Sequence, residues 1–164
     1  MNRNVVPKDF TMGLALFDAL PVLCFAGSMI LISIKFSSKL FLLGSLLCLF
    51  AGLSKVIWKL IVILKKKNIW FFFIQMRITM PIGFLLMVTS LIINRKNISF
   101  SLMLQNFLSM PSLIFFVVGI IGMVLMVVFG LTLDGSKLKN NWIEQITNFV
   151  AQLFIFLGIL VLFL

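Results

Sequence analysis

Five apolar stretches, each long enough to cross a lipid bilayer as a helix, constrain this chain more than any other feature of its sequence. A helix needs about 20 residues to cross roughly 30 Å of hydrocarbon. We therefore expect an all-α integral membrane protein, a five-transmembrane-helix bundle that forms one transmembrane domain over residues 1–164. The predicted spans cover residues 11–34, 40–64, 70–93, 112–133 and 143–164.

The overall composition agrees with a membrane location. Hydrophobic residues make up 62% of the 164 residues and charged residues only 11%, which is more apolar surface than a soluble domain of this length can bury. The net charge of +10 comes mostly from basic residues that flank the spans, a pattern typical of contact with anionic lipid headgroups. The lipid bilayer is thus the expected partner, and nucleic acid is not, because no separate basic domain exists.

Residues at the span ends have the chemistry of helix caps and turns. Asp9 is suited to cap the first helix, and Asp134-Gly135 predicts a turn after the fourth. Asn141 with Glu144 resembles a capping box for the fifth helix. The first span is expected to be a retained helix rather than a cleaved signal peptide, because Asp18 and a proline interrupt its apolar run.

The segment "SFSLMLQNFLSM" at residues 99–110 has apolar residues at helical spacing. It is too short to span a membrane and has no basic face. We expect a short interfacial helix between helices 3 and 4, on the outer surface. The alternative is a helix packed across the outer end of the bundle.

The distribution of Lys and Arg predicts the orientation. Seven lie in the tail and loops on the side of the amino terminus, and four lie in the loops on the other side. Trp58, Trp70 and Trp142 lie toward the first of these sides, where indole favours the headgroup level. We expect a multi-pass protein of the plasma (cell) membrane with its amino terminus in the cytoplasm.

Charged and polar residues inside the spans fall at one depth. The first two spans form an antiparallel hairpin in which Asp18 comes level with Lys55. Lys59 lies one turn nearer the cytoplasm, whereas Arg77 and Gln152 lie at a similar depth in the third and fifth spans. Ionisable residues inside a membrane predict a functional site.

Helical spacing places several of these residues on two stripes, which should face protein or water rather than lipid. The second span carries a stripe of small residues followed by lysines, and the fifth carries a polar stripe. The second-span stripe comprises Gly44, Cys48, Gly52, Lys55 and Lys59, and the fifth-span stripe comprises Asn141, Gln145, Asn148 and Gln152.

Two prolines follow the charges. Pro21 comes three residues after Asp18, and Pro81 comes four residues after Arg77. Each ring removes a helical hydrogen bond to the carbonyl four residues earlier. We therefore expect helix kinks and free carbonyls beside the charges.

Structural interpretations of the same residues stay open. Lys59 is expected to extend its ammonium group to the membrane surface along its flexible stem. Asp18 and Lys55 form, on this interpretation, an ion pair that fixes helix register. Cys24 and Cys48 are interpreted as packing thiols, since no CxxC motif is present.

The sequence excludes several catalytic chemistries. It contains no His and no Tyr, so a His-metal site, a Ser-His pair and a histidine proton relay are ruled out. It also has no Gly-rich phosphate loop and no carboxylate pair within one span. We expect no enzyme activity, no cofactor and no metal.

Three classes of function remain. The first is a transporter or channel component whose cytoplasm-facing basic cavity holds a small anionic solute. The second is an accessory or assembly subunit that binds another membrane protein or a second copy of itself. Its docking face would be the fourth helix, with Gly119, Gly122 and Gly130. The third is an insertase-like or lipid-headgroup-binding groove, by architectural analogy alone.

Overall fold

The computed structural model describes residues 11–95, 100–134 and 137–163. Over these ranges, five helical segments are long and apolar enough to span a membrane, with α1 and α2 together forming the first. The helices are α1 (Met12–Phe17), α2 (Ala19–Phe36), α3 (Lys39–Lys65), α4 (Trp70–Ile93), α5 (Phe100–Leu108), α6 (Ser112–Thr132) and α7 (Leu138–Phe163). The multi-span helical class predicted from the sequence is confirmed.

The observed span limits agree with the predicted ones except at the fifth span. α7 begins at Leu138 rather than at residue 143. The predicted capping box of Asn141 and Glu144 is therefore wrong, because both residues lie inside the helix. The Asn141 side chain instead donates from Nδ2 to the Lys137 carbonyl at 3.3 Å, the backward hydrogen bond that a polar residue within a helix makes.

Short polar residues lie at the start of the first span and at the turn between the first and second spans. Thr11 Oγ1 accepts from the Leu14 N–H at 3.2 Å and caps α1, whereas the cap predicted at Asp9 lies outside the described residues. Ser37 ends α2 in the left-handed region, at φ 44, and Ser38 Oγ caps α3 by accepting from the Phe41 N–H at 3.3 Å. The resulting tight turn makes the two spans an antiparallel hairpin.

The connection after α6 matches part of a predicted turn. The Asp134 carbonyl accepts from the Lys137 N–H at 3.1 Å and from Asn140 Nδ2 at 3.0 Å. These bonds connect the end of the fourth span to the start of α7. Gly135, the second residue of the predicted turn, lies outside the described residues.

The spans pack in a definite neighbour order. α3 packs chiefly against α4, α2 packs against both α3 and α7, and α7 packs against α6. The order of neighbours is therefore α4, α3, α2, α7, α6, with the first span at the centre. The outermost spans, α4 and α6, keep most of their surface exposed. We define the N-terminal side as the side of the membrane on which α1 begins, and the turn side as the side of the Ser37–Ser38 turn.

Glycines set the close contact between α3 and α4. A Cβ built on Gly83 would lie 2.7 Å from the Gly44 carbonyl oxygen and 2.7 Å from Cys48 Sγ. Such distances leave no room for a methyl group, so the two backbones approach as closely as small residues allow. The small-residue half of the predicted α3 stripe therefore contacts α4. Gly52, farther along it, contacts Val22 of α2 instead.

Glycines of α6 also pack within the chain. A Cβ on Gly119 would lie 2.6 Å from Ile155 Cγ1, and one on Gly122 would lie 2.7 Å from the Ala151 Cβ, both on α7. The prediction that these two glycines form a docking face for another protein is wrong, because α7 already covers them. Only Gly130 of the three has nothing within 4 Å of a built Cβ.

The segment between the third and fourth spans does form a helix, α5. Phe107 stacks on Phe116 of α6, with ring centroids 4.5 Å apart, and α5 packs against α6 and α7. Its placement at the membrane interface stays a prediction.

The glycine contacts generate a first testable prediction. Gly83→Ala inserts a methyl group against backbone and sulfur, so we expect it to lower the free energy of unfolding by about 1–3 kcal/mol. Gly130→Ala, in open space on α6, is the matched control and should change it by less than about 0.5 kcal/mol. Denaturation of both variants in detergent micelles measures the difference. Equal losses would contradict the close packing of α3 on α4.

Candidate functional site

Asp18 lies at the interruption between α1 and α2. Its N–H still bonds the Leu14 carbonyl at 3.0 Å, but Pro21 occupies the first turn of α2 and has no N–H for the Phe17 carbonyl. The helix interruption is thus at the position where the proline predicts a free carbonyl. Pro81, in contrast, lies within α4, which continues past it.

Two lysines of α3 surround the Asp18 carboxylate. Lys59 Nζ lies 2.8 Å from Asp18 Oδ2, and Lys55 Nζ lies 3.9 Å from Oδ1. The Asp18 and Lys59 side chains are 3% and 4% exposed, whereas the Lys55 side chain is 34% exposed. We call Asp18, Lys55 and Lys59 the charge cluster. It contains a tight buried pair and a second, looser and more accessible ammonium group.

This geometry agrees with one prediction and corrects another. The hairpin register that placed Asp18 level with Lys55 is present. The expectation that Lys59 extends to the membrane surface is wrong, since its ammonium group is buried against Asp18. The position of Lys59 along its span places the membrane surface within reach of its side chain. The Asp18 carboxylate, one turn deeper, is a closer partner than the surface and forms a short, charge-assisted ion pair with the ammonium group.

The polar stripe of α7 lies beside the first span, on the N-terminal side. Phe17 contacts both Trp142 and Phe149, with centroids 5.5 Å from each, so Asn148 is level with Asp18 to within one turn. Gln145 is 2% exposed, and its Oε1 has no hydrogen-bond partner in the described part of the chain. The α7 stripe thus brings amide groups to the depth of the charge cluster.

Acidic charge also lies near the buried lysine. Glu144 is close enough to Lys59 to attract its ammonium group electrostatically. Lys59 is therefore repelled by Lys55 and attracted by both Asp18 and Glu144.

Two other predicted site residues do not join the charge cluster through their packing. Gln152 donates from Nε2 to Met123 Sδ of α6 at 3.5 Å, so it connects α7 to α6. Arg77 is exposed on α4. It lies six residues before Gly83, about 120° around the helix from the face that packs on α3. The sequence predicted the depth of Arg77 in the membrane but not the helix face on which it lies. That face points away from the bundle, toward lipid or a partner protein.

Gln75 is a buried polar residue that the sequence analysis missed. It is 6% exposed, and its Oε1 accepts from Thr79 Oγ1 at 3.0 Å. Continuing the antiparallel register of the Gly44–Gly83 contact places Gln75 level with Gly52, within one turn of Lys55. The signal in the sequence is the Gln75–Thr79 spacing of four residues, which places both side chains on one helix face.

Comparisons with protein-family models, with curated proteins and with solved structures gave no match.

The burial difference between the two lysines generates a second prediction. Lys59→Met leaves the buried Asp18 with only the longer contact to Lys55, so we expect it to destabilise the protein by roughly 3–5 kcal/mol. Lys55→Met, one turn away on the same helix, should cost no more than about 1 kcal/mol. Unfolding titrations of the purified variants make the comparison.

The double variant Asp18→Asn/Lys59→Met tests the pairing itself. It should lose less stability than the sum of its two single variants, because no buried charge is left alone. Additive losses would show that the two residues do not stabilise each other.

Proposed function

We propose that this chain is a small membrane transport protein, or the membrane component of one, and that it binds an anionic group at Lys55. The observation that carries the proposal is the unequal pairing of one carboxylate with two lysines. Asp18 satisfies the buried Lys59 at 2.8 Å and leaves Lys55 at 3.9 Å and 34% exposed.

The energetics of Lys55 support a site for an anion. Its helix position is well inside the apolar span Lys39–Lys65. A lysine near the middle of a membrane helix costs about 2.5–3.5 kcal/mol on insertion scales. Water or an anion beside the exposed ammonium group lowers that cost, and an anion does so most directly because it supplies the charge that Asp18 does not fully supply.

Asp18 gives the site a way to release what it binds. Its two oxygens face different lysines, so a small movement of the carboxylate toward Lys55 competes with a bound anion for the same ammonium group. The interruption at Asp18, next to Pro21, places this movement at a point where the helix lacks a backbone hydrogen bond. The resident carboxylate and the bound anion would thus alternate on Lys55. With the amino terminus cytoplasmic, as the basic residues predict, the site opens toward the cytoplasm.

A second function is favoured by a separate observation, the exposure of α4. This outermost span packs chiefly against α3, and it carries the exposed Arg77 within its apolar length. Such a face suits an accessory or assembly subunit whose partner is another membrane protein or a second copy. The insertase-like groove has no comparable supporting observation.

Water access at Lys55 is the first experiment, and it yields a third prediction. In a Cys24→Ala/Cys48→Ala background, Lys55→Cys should react with a membrane-impermeant thiol reagent at least about tenfold faster than Leu53→Cys, because thiolate formation needs water. Leu53 is a matched control on the same helix, at nearly the same depth and 41% exposed. Equally slow reaction at both positions would place Lys55 against lipid and contradict the anion site.

Anion binding yields a fourth prediction, which separates the two functions. At constant ionic strength, inorganic phosphate or a small carboxylate should raise the Tm of the wild type, since a ligand stabilises the state that binds it. Lys55→Gln should abolish this rise, and Arg77→Gln should preserve it. If Arg77→Gln instead releases a co-purifying protein or a second copy, and no anion changes the Tm, the accessory function is the correct one.

A further inference from the structure

The charges around Asp18 are balanced. Among the described residues, the charged groups that act on Lys59 are Lys55, Asp18 and Glu144, so two ammonium groups stand against two carboxylates. Arg77 would give this set an excess of positive charge, but it lies on the face of α4 that points away from the bundle. The anion-free site therefore has no surplus positive charge.

This charge balance restricts how an anion can bind at Lys55. A monovalent anion beside the ammonium group would leave one uncompensated negative charge within the span. A net charge is costly in a medium that solvates charge poorly. One proton taken up from water removes that charge, so we expect the anion and a proton to bind together.

Asp18 is the carboxylate best placed to take the proton. Its Oδ1 lies 3.9 Å from Lys55 Nζ, so an anion in contact with the same ammonium group comes within about 7 Å of that oxygen. Negative groups that share a site hold one proton between them more readily than two full charges. Glu144 of α7 acts on Lys59 instead and is only half-buried, so water screens it better. On α2, the titratable residue nearest to Asp18 is Cys24, about 9 Å farther along the helix.

The position of Asp18 also gives a proton access to it. The side chain is 3% exposed, which excludes a bound solute, but it lies at the interruption between α1 and α2, next to Pro21. Local opening of the backbone at such a point lets water touch the carboxylate briefly. A brief contact is sufficient for a proton transfer, whereas a solute needs a lasting opening.

We propose that anion binding at Lys55 is coupled to the uptake of one proton by Asp18, so that the anion is carried together with a proton. This inference rests on the proposed function, because it needs the anion site. On binding, the anion replaces Asp18 beside Lys55, and a proton from water bonds to Asp18 Oδ1. Oδ2 still accepts from Lys59. When the anion leaves, the proton returns to water, and no other bond forms or breaks.

The coupling fixes the direction of the pH dependence. Because the complex holds one proton more than the free protein, anion binding strengthens as the pH falls. The Kd should decrease by up to about tenfold per unit of pH, in the interval where Asp18 is ionised in the free protein and protonated in the complex.

The test uses the full-length protein in detergent micelles with formate, a small carboxylate that stays ionised between about pH 6 and pH 8. Calorimetric titration in buffers of different ionisation enthalpy should give uptake of about one proton per formate bound. Glu144→Gln is the matched control and should keep this uptake. Asp18→Asn/Lys59→Met retains Lys55 without a buried unpaired charge, and it should bind formate with no proton uptake and a Kd independent of pH.

A spectroscopic measurement keeps the proposal testable if the double variant does not fold. Asp9→Asn/Asp134→Asn leaves Asp18 as the only aspartate of the chain. With isotope-labelled aspartate, formate should then produce an isotope-shifted infrared band of a protonated carboxyl group.

The outcomes separate the proton coupling from the anion site. Formate binding without proton uptake, uptake that is lost in Glu144→Gln, or uptake that persists in the folded double variant would overturn the coupling and leave the anion site standing. No formate binding to the wild type at any pH in this interval would overturn both.

Discussion

The buried ion pair between Asp18 and Lys59 is the interaction on which the arrangement of the spans depends. A carboxylate and an ammonium group that are both nearly inaccessible must stay together, because separating them leaves an uncompensated charge in a medium that solvates charge poorly. The pair favours the observed register of the first two spans, since a shift of one turn would separate Asp18 from Lys59 and leave that buried ammonium group without its carboxylate. It also fixes which faces of α2 and α3 meet. The position of Lys55, one turn away and less buried, follows from that register.

The sequence was a good guide where one physical requirement dominated. Span number and type followed from the length of the apolar runs, because only a helix satisfies its own backbone in lipid. The placement of Asp18 and Lys55 at the same depth followed from the short turn, because two antiparallel helices joined by a short turn have little freedom in register. These features depend on distance along the chain, which a sequence records directly.

The features that failed depend on which helix is the neighbour. The burial of Lys59 and the exposure of Arg77 differ although their predicted depths were similar, because α3 has neighbours on several faces and α4 chiefly on one. The glycines of α6 suggested an external partner, but α7 of the same chain fills that place. Asn141 resembled a cap, yet the helix began a turn earlier. A single sequence gives depth and periodicity, whereas neighbour order among spans requires the contacts themselves.

The central place of the first span has a mechanical consequence. Among the described residues, α3 with α4 forms one antiparallel pair and α6 with α7 forms another, and the first span contacts α3 of one pair and α7 of the other. Glycines bring the two helices of each pair into close contact, and the first span lies between the two pairs. The first span is interrupted at Asp18, next to the Phe17 carbonyl, which receives no hydrogen bond from Pro21. A rocking motion of one pair against the other would therefore concentrate its bending at the residue that carries the carboxylate, coupling the tilt of the two halves to the charge balance of the site.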